Sequence, residues 1–425
     1  MSLDTSPVDL VGIGFGPSNL ALAITVAEHN ETHPAEPLRA HFYDNKDSFA
    51  WHPDMLLPGA QMQVSFLKDL VTLRNPQSRF TFINYLCTRG RLVDFINHQT
   101  FFPSRAEFSD YLGWAAGQVE DKVTYKTSVT RVEAVGDEFL VHTRDESGSE
   151  RTVRARNVVV GGGISAVLPE QVSPSVRQWH SHGLLGKLKE LPELTHQRFV
   201  VVGAGQSAAE ITSYLHDAYP EAEVHAVFGK YGYTPADDSP YANRVFDPEA
   251  VDDFHEASIE VRERLLDYHR STNYSAVDSE VIAELYAREY QEKVQGDRRL
   301  FIHGASRLDS EKTEETSDGV RVTINHLPTT TTQTITADAV VYATGFRSID
   351  LRELLAEPEQ EYCFDDSGLP QVARDYRIRR PTDHEGNVYL NGGVEHSHGL
   401  TATLLSNLAI RSADIVESIV GDLRV

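Results

Sequence analysis

The chain of 425 residues carries 63 acidic and 39 basic side chains, and its formal net charge of −24 repels nucleic-acid phosphates and anionic lipid surfaces, so neither nucleic acid nor a membrane is an expected partner. Its length suits two or three domains of ~150 residues each, and no apolar stretch reaches the ~20 residues of a membrane span. The first residues lack the basic and apolar parts of a signal peptide, and the two cysteines, Cys87 and Cys363, are too far apart for a Cys-x-x-Cys redox centre, so we expect a cytoplasmic protein and not a disulfide reductase.

The first predicted element is an apolar strand that begins at Val8 and runs into a glycine-rich turn and an apolar helix. The turn reads Gly12-Ile13-Gly14-Phe15-Gly16-Pro17-Ser18-Asn19. Glycines in this pattern allow a tight turn and let backbone N–H groups reach a pyrophosphate, toward which the helix points its positive end. Pro17 suits the first helical turn, where no N–H donor is needed. A lone glycine turn is also typical of an ordinary loop. The residues predicted to bind a dinucleotide here are Gly12, Gly14, Gly16, Pro17 and Asn19.

The next predicted strand, residues 41–43, ends at Asp44, the acidic residue expected to bind the ribose hydroxyls. Asp44 follows the turn by more than the usual ~20 residues because a polar insert lies at residues 28–37. A polar and aromatic segment, residues 51–114, is predicted to line a ligand. After it, an apolar strand that ends in Gly161-Gly162-Gly163 is expected to return the chain to the first domain.

A second strand, turn and helix unit begins at Arg198. The strand residues 199–202 are continuously apolar, as in a strand buried on both faces, and the turn Gly203-Ala204-Gly205-Gln206-Ser207-Ala208 follows. Gly203, Gly205, Gln206 and Ser207 are therefore predicted to bind a second dinucleotide. A protein that holds two dinucleotides usually moves electrons between them.

The predicted fold class is α/β, with two Rossmann-like dinucleotide-binding domains and an inserted, mostly helical substrate subdomain. The insertion is predicted at residues 231–296, which are charged, rich in tyrosine and helical in their periodicity. A late strand follows at residues 337–345. We expect residues 1–190 and 346–425 to form the first domain and residues 197–345 the second.

Two histidine pairs compete with this interpretation. His180 with His182, and His396 with His398, each place two imidazoles at strand spacing, a pattern compatible with a metal site of four nitrogen ligands. Histidine spacing of this kind is weak evidence by itself, so no metal is predicted.

The ordered motifs along nearly the whole chain resemble those of the flavin-dependent N-hydroxylating monooxygenases, the ornithine and lysine hydroxylases of siderophore biosynthesis. The resemblance rests on the two glycine turns and on seven further stretches: FAWHPDML (49–56), MQVSFLKDL (62–70), FTFINYL (80–86), DDSPYAN (237–243), TNYS (272–275), ATGF (343–346) and HGLTATLLS (398–406).

The resemblance implies that the first domain binds FAD and the second NADPH. Reduced flavin would react with molecular oxygen, and the terminal amine of the substrate would attack the resulting flavin hydroperoxide. The favoured substrate is L-ornithine, hydroxylated on its side-chain amine for a hydroxamate siderophore. L-Lysine and the diamines putrescine and cadaverine stay open as substrates, as does oxygenation of carbon or sulfur. A non-catalytic redox sensor is an alternative from a different class. Relatives often assemble as homodimers or homotetramers.

The family motifs also imply roles for particular residues. Lys68 would clamp the carboxylate of the substrate, with Asn243, Asn273 and Ser406 as further substrate-binding residues. The implied catalytic residues are Gln63, His52, Lys68 and Asn273. Besides the two turns and Asp44, the implied cofactor-binding residues are Trp51, His52, Gln63, Lys230, Thr344, Gly345, His398, Leu400 and Leu405.

The chain departs from the family pattern in three places. Relatives often carry arginines for the 2′-phosphate of NADPH after the strand that ends at Phe228. This chain has Gly229-Lys230 there, so Lys230 alone would bind that phosphate, and NADH stays an alternative cofactor. Ala402 replaces an aspartate after His-Gly-Leu, and Phe346 replaces a tyrosine.

Overall fold

A computed structural model describes residues 7–382 and 384–423. Its strands are β1 (Val8–Ile13), β2 (Ala40–Tyr43), β3 (Val123–Thr124), β4 (Thr127–Val135), β5 (Glu138–Asp145), β6 (Glu150–Val160), β7 (Ile164–Ala166), β8 (Gln178–His180), β9 (Arg198–Val202), β10 (Glu223–Val227), β11 (Leu300–His303), β12 (Ser306–Leu308), β13 (Glu314–Glu315), β14 (Val320–His326), β15 (Thr332–Ala337), β16 (Ala339–Tyr342), β17 (Phe346–Ser348) and β18 (Val388–Leu390). Its α-helices are α1 (Pro17–Thr32), α2 (Phe82–Thr88), α3 (Leu92–His98), α4 (Arg105–Gly117), α5 (Leu184–Glu190), α6 (Gln206–Ala218), α7 (Ala250–Glu256), α8 (Ile259–His269), α9 (Ser279–Gln295), α10 (Leu351–Leu354), α11 (Pro358–Glu361), α12 (Glu395–His398) and α13 (Leu408–Leu423).

The first sheet is built around β1, which leads into the first glycine turn. Strands β3, β2, β1 and β6 are parallel and adjacent in that order, and β18 also pairs in parallel with β6. The first half of β6 pairs antiparallel with β5, which pairs with β4. Strand β6 pairs with β1 directly before Gly161. Strand β18 pairs with β6, and α13 packs on α1, so C-terminal elements also contribute to this sheet and its packing.

The second sheet is parallel throughout, in the order β11, β10, β9, β16 and β8. Its central strands carry Val200, Val201, Val340 and Val341, none of which is exposed. Burying each such side chain contributes about 1.5–3 kcal/mol relative to leaving it in water, so continuous apolar strands form the centre of the sheet. The mixed first sheet and the parallel second sheet, each with a strand that leads into a glycine turn and a helix, confirm the predicted α/β class.

Strand β8 pairs with β16, so its residues lie in the second sheet. In the prediction from sequence they fall within residues 1–190, the first part of the first domain. A strand of three residues is too short to show a periodicity, and its place in the sheet depends on a partner 162 residues further along the chain. Strands β12 to β15 form a separate antiparallel sheet between β11 and β16 in chain order.

The helices of residues 231–296 divide into two groups. Helices α7 and α8 pack against the short C-terminal helix α12. Helix α9, in contrast, packs on α6 and β11 and buries Leu285 in the core of the second sheet. It therefore acts as a crossover helix of that sheet, unlike α7 and α8. Amphipathic periodicity alone does not distinguish the two uses of a helix. Within the described ranges, no helix is long and apolar enough to cross a membrane.

Candidate active site

The first glycine turn lies between β1 and α1, and its glycines are required for different reasons. Gly14 has a φ of +78°, and a Cβ atom there would lie 2.7 Å from the carbonyl oxygen of Gly161. A Cβ atom on Gly12 would lie 2.1 Å from the ring of Phe42. Gly16, in contrast, has open space beside it and precedes α1 without a side-chain cap. The N–H groups of the first turn of α1 are thus open to an anion such as a pyrophosphate.

Asn19 and Asp44 hold this turn in shape. The Nδ2 atom of Asn19 donates hydrogen bonds to the carbonyl oxygens of Ile13 and Gly14, at 3.1 and 2.7 Å. The carboxylate of Asp44, at the end of β2, accepts hydrogen bonds from the backbone N–H groups of Phe15 and Lys46, at 2.6 and 2.8 Å. The structure brings both residues to the turn, as the sequence predicts. The role of Asp44 at a ribose stays a prediction.

The second glycine turn repeats the arrangement between β9 and α6. Gly203 has a φ of +144°, and a Cβ atom there would lie 2.4 Å from the carbonyl oxygen of Ala343. Gly205 precedes α6, again without a side-chain cap, and Gln206 and Ser207 begin the helix. This turn also presents a free helix N-terminus, which suits a second pyrophosphate.

Asp278 joins a residue of the N-terminal part of the chain, Gln63, to the second glycine turn. It lies directly before α9 and accepts a hydrogen bond at 3.0 Å from Nε2 of Gln63. Its other carboxylate oxygen accepts one at 2.8 Å from Nε2 of Gln206, and its backbone N–H donates to Oε1 of Gln206. Two residues predicted to contact cofactors thus meet at one carboxylate that the sequence interpretation did not identify. An aspartate directly before a helix is a common N-cap, so its chain position gave no sign of this contact.

His52 lies in a compact group of aromatic rings. Its Nδ1 atom is 3.4 Å from Nδ1 of His182, and its ring packs against Trp51 and Phe346. Burial, followed by the positive fields of His182, Lys46 and Arg105, lowers the pKa of His52 to about 4. The imidazole is therefore neutral at neutral pH and adds no positive charge to the site.

Of the residues predicted to bind substrate, Lys68 is the most informative. Its side chain is half-buried, and within residues 7–382 and 384–423 its ammonium group has neither a hydrogen bond nor an ion pair. A lysine ammonium without a protein partner is suited to an anionic ligand. The neighbouring Asp69, in contrast, caps the following turn through the N–H groups of Val71 and Thr72.

The other three predicted substrate residues lie on the insertion and the C-terminal segment. Asn243 is exposed and donates from Nδ2 to the carbonyl oxygen of Asp238, at 2.9 Å. Asn273 precedes Tyr274, whose hydroxyl donates to Glu395. The Oγ atom of Ser406 is buried and has no partner in the described chain. The contact of Tyr274 with Glu395 ties the insertion to the segment that carries Ser406.

The remaining predicted cofactor residues have protein partners. The ammonium of Lys230 donates to Oγ1 of Thr234 and to the carbonyl oxygen of Ser275, at 2.8 and 2.7 Å. The hydroxyl of Thr344 donates to the carbonyl oxygen of Val167, and Gly345 has a φ of +86°. Leu400 is buried and Leu405 half-buried against the protein core.

The histidine pairs of the alternative metal site are also engaged by the protein. Nε2 of His180 lies 2.9 Å from the carbonyl oxygen of Gly345, and Nε2 of His396 lies 2.9 Å from that of Pro370. His398 is fully buried, with Nδ1 at 2.8 Å from Oγ of Ser397 and Nε2 at 3.2 Å from the carbonyl oxygen of Arg374. Its ring therefore contacts protein atoms through both nitrogens. The described chain contains no group of three or more His, Cys, Asp or Glu side chains arranged to hold a metal.

The fold and the two glycine turns define the class of oxidoreductases with two dinucleotide-binding sites, and the comparisons with known proteins specify the family. The family model described as L-lysine 6-monooxygenase/L-ornithine 5-monooxygenase matches residues 6–348. The chain belongs to this family, which confirms the resemblance found in its sequence motifs.

Individual relatives match almost the full chain. The L-ornithine N(5)-monooxygenase of Burkholderia cepacia is 38% identical, with 92% of this chain and 89% of that protein covered. The enzyme of the same name from Pseudomonas aeruginosa is 35% identical, with 98% and 94% covered. Among solved structures, the ornithine N-hydroxylase KtzI of Kutzneria sp. 744, with reduced FAD, NADP⁺ and L-ornithine, superposes with a TM-score of 0.92 at 42% identity and covers 98% of this chain and 99% of that one.

Proposed function

We propose that the protein is an FAD- and NADPH-dependent monooxygenase that hydroxylates the side-chain amine of L-ornithine with molecular oxygen, for a hydroxamate siderophore. The observation that carries the proposal is the half-buried Lys68 ammonium without a protein partner, in a chain whose family relatives named above act on ornithine. A cation in this state suits the α-carboxylate of an amino acid and gives no advantage to a diamine.

The residues at both glycine turns fit the two cofactors. The first turn offers the uncapped N-terminus of α1 and the open space at Gly16, and we assign FAD to it. The second offers the uncapped N-terminus of α6, and we assign NADPH to it. When bound and reduced by NADPH, the flavin supplies the oxygen-transfer chemistry, so the protein itself needs chiefly to bind, orient and exclude water.

The side chains divide this work between them. Lys68 binds the carboxylate of the substrate, and Asn243 and Asn273 hold its amino-acid end. Gln63, fixed by Asp278, holds the contact between the two cofactor sites. The neutral imidazole of His52 keeps this contact region free of added positive charge.

The substrate amine must reach the site in its neutral form, although its ordinary pKa of ~10.4 keeps it protonated in water. Desolvation on binding lowers the pKa of a cationic amine, because burial disfavours the charged form. We propose that the site achieves this without a dedicated base, since the imidazole of His52, with a pKa of about 4, is too weak a base for the task.

Lys230 is the proposed partner of the 2′-phosphate of NADPH. Its two hydrogen-bond acceptors, Thr234 and the carbonyl of Ser275, are neutral, so its charge stays available to a phosphate. With a single cation in place of the arginines of relatives, the preference for NADPH over NADH is expected to be modest. We further propose a cytoplasmic enzyme that assembles as a homodimer or homotetramer.

The product identifies the reaction. Incubation with FAD, NADPH and each of ornithine, lysine, putrescine and cadaverine, followed by mass spectrometry with fragmentation, should show one added oxygen on the side-chain nitrogen of ornithine. Oxygen added only to a diamine would overturn the carboxylate argument. Oxygen added to no amine would assign the protein to another oxygenase class.

A further inference from the structure

Arg411, on helix α13, is a fully buried cation without an anionic partner. Its side chain is 1% exposed, and it is the largest side chain in the fully buried core. Its guanidinium donates to three neutral acceptors: Oδ1 of Asn391 at 2.8 Å, the carbonyl oxygen of Ala402, and Oγ of Ser18 at 3.1 Å. No ion pair joins it to a carboxylate among residues 7–382 and 384–423.

Such a group is costly in a folded protein. Arginine does not deprotonate under ordinary conditions, so it cannot escape the cost of burial by becoming neutral. Buried charges are normally paired, and an unpaired one destabilises the folded state even after relaxation. Neutral acceptors satisfy its N–H groups without compensating its charge.

Two of the three contacts of Arg411 lead to the first glycine turn. Ser18 is the second residue of α1, so the guanidinium lies within hydrogen-bond distance of the first turn of that helix. Asn391, held by Arg411, donates at 3.0 Å to Oδ1 of Asn19, which in turn holds the carbonyl of Gly14. The side chains of Arg411, Asn391 and Asn19 are at most 1% exposed, and a Cβ atom on Gly161 would collide with the side chain of Asn19.

Two positive features therefore lie side by side at this turn. The uncapped N-terminus of α1 carries about half an elementary charge, and the guanidinium adds a full one. Without an anion they repel each other, whereas an anion over the turn is stabilised by both. We propose that Arg411 is a cofactor-positioning residue whose missing counter-charge is the pyrophosphate of the dinucleotide bound at the first glycine turn. The inference rests on the assignment of FAD to that turn.

The inference predicts a specific change in flavin binding. The full-length protein is loaded with FAD or with riboflavin, which lacks the pyrophosphate, and the dissociation constant of each is measured from the fluorescence of released flavin. Arg411→Met should weaken FAD binding about tenfold or more and leave riboflavin binding nearly unchanged. The stabilisation of the protein by saturating FAD, measured as a shift of the unfolding midpoint, should shrink in the same variant.

Arg177 provides the matched control. It is also buried and is bound to the carbonyl oxygens of Asp338 and Ser317, without an ion pair in the described chain, but it lies beside the second sheet. Arg177→Met should lower the unfolding midpoint equally with and without FAD and should leave the ratio of FAD to riboflavin affinity unchanged. If the ratio of FAD to riboflavin affinity is the same in Arg411→Met and Arg177→Met, Arg411 has no role in cofactor positioning and serves packing alone.

A second variant covers the case in which Arg411→Met does not fold. Arg411→Lys keeps the positive charge and loses the planar guanidinium with its several N–H donors. It should therefore keep most of the preference for FAD over riboflavin, despite a lower unfolding midpoint. Loss of that preference in Arg411→Lys would contradict the charge argument. Gly14→Ala tests the assignment of FAD to this turn separately. If this variant binds FAD as tightly as the unchanged protein, the assignment is wrong, whatever the result for Arg411.

Discussion

Arg105 and Glu210 form a bidentate ion pair across the two halves of the molecule. The guanidinium of Arg105, at the start of α4, donates to both carboxylate oxygens of Glu210, on α6, at 2.7 and 2.9 Å. Glu210 also accepts a hydrogen bond from Gln206, which itself binds Asp278 and so leads to Gln63. The pair thus fixes the helix that carries the second glycine turn relative to the first half of the site.

Removal of this pair should loosen the relation between the two cofactor sites. Glu210→Ala leaves the Arg105 cation without its partner, which typically costs 3–5 kcal/mol when an ion pair is buried. We expect a lower free energy of unfolding in urea and slower reduction of the bound flavin by NADPH, while reduction by dithionite stays unchanged.

An exposed ion pair serves as the control for that experiment. Arg144 donates to Glu150 across β5 and β6, with both side chains more than half exposed. Glu150→Ala should cost less than about 1 kcal/mol and should not slow flavin reduction. Equal effects of the two substitutions would remove Arg105 and Glu210 from the positioning of the cofactors.

Gly14→Ala should reduce FAD binding because the new Cβ atom meets the Gly161 carbonyl in a backbone conformation that L-residues rarely adopt. Gly90 has a similar φ of +68° but open space around it, so Gly90→Ala isolates the cost of the conformation, about 1 kcal/mol. We expect Gly14→Ala to lose more stability than Gly90→Ala and to copurify with less flavin. Full flavin occupancy in Gly14→Ala would contradict the assignment of this turn.

Lys230→Met should reduce the preference for NADPH. Loss of a charge-assisted contact to the 2′-phosphate is expected to lower kcat/KM for NADPH about tenfold and to leave that for NADH nearly unchanged. The measurement is the initial rate of flavin reduction with each nucleotide. An equal loss with both nucleotides would indicate that Lys230 only supports the loop through Thr234 and Ser275.

Buried neutral histidines should make the fold sensitive to acid. Burial lowers the pKa of His398 to about 3, below its ordinary value of 6.5 in the unfolded chain. The unfolded protein therefore binds more protons than the folded one between these values, so this contribution is complete above pH 6.5 and is lost as the pH falls toward 3. In His398→Gln the free energy of unfolding should fall less steeply between pH 6.5 and 4 than in the unchanged protein. The control is His98→Gln, at an exposed position, which should leave this slope unchanged.

The sequence predicted those parts of the site that depend on neighbours in the chain. The turns at Gly14 and Gly205 follow from a strand, glycines and a helix in direct succession, and the structure confirms both units. Asp278 and Arg411 escaped prediction because their partners Gln63 and Ser18 lie 215 and 393 residues away in the chain. Only the folded arrangement of the sheets brings such pairs into contact.

Lys68→Ala should raise the Michaelis constant for ornithine about tenfold or more, because the substrate carboxylate loses its cationic partner. It should leave the Michaelis constant for NADPH nearly unchanged. Lys293→Ala, which removes an exposed lysine paired with Glu289 on α9, is the control and should change neither.

The most direct test of the proposed function is the amount of hydroxylamine product formed per NADPH consumed by the FAD-loaded protein under air. The account predicts a ratio near one with ornithine and low ratios with putrescine and cadaverine, because only ornithine offers a carboxylate to Lys68. Tight coupling with a diamine and not with ornithine would contradict it.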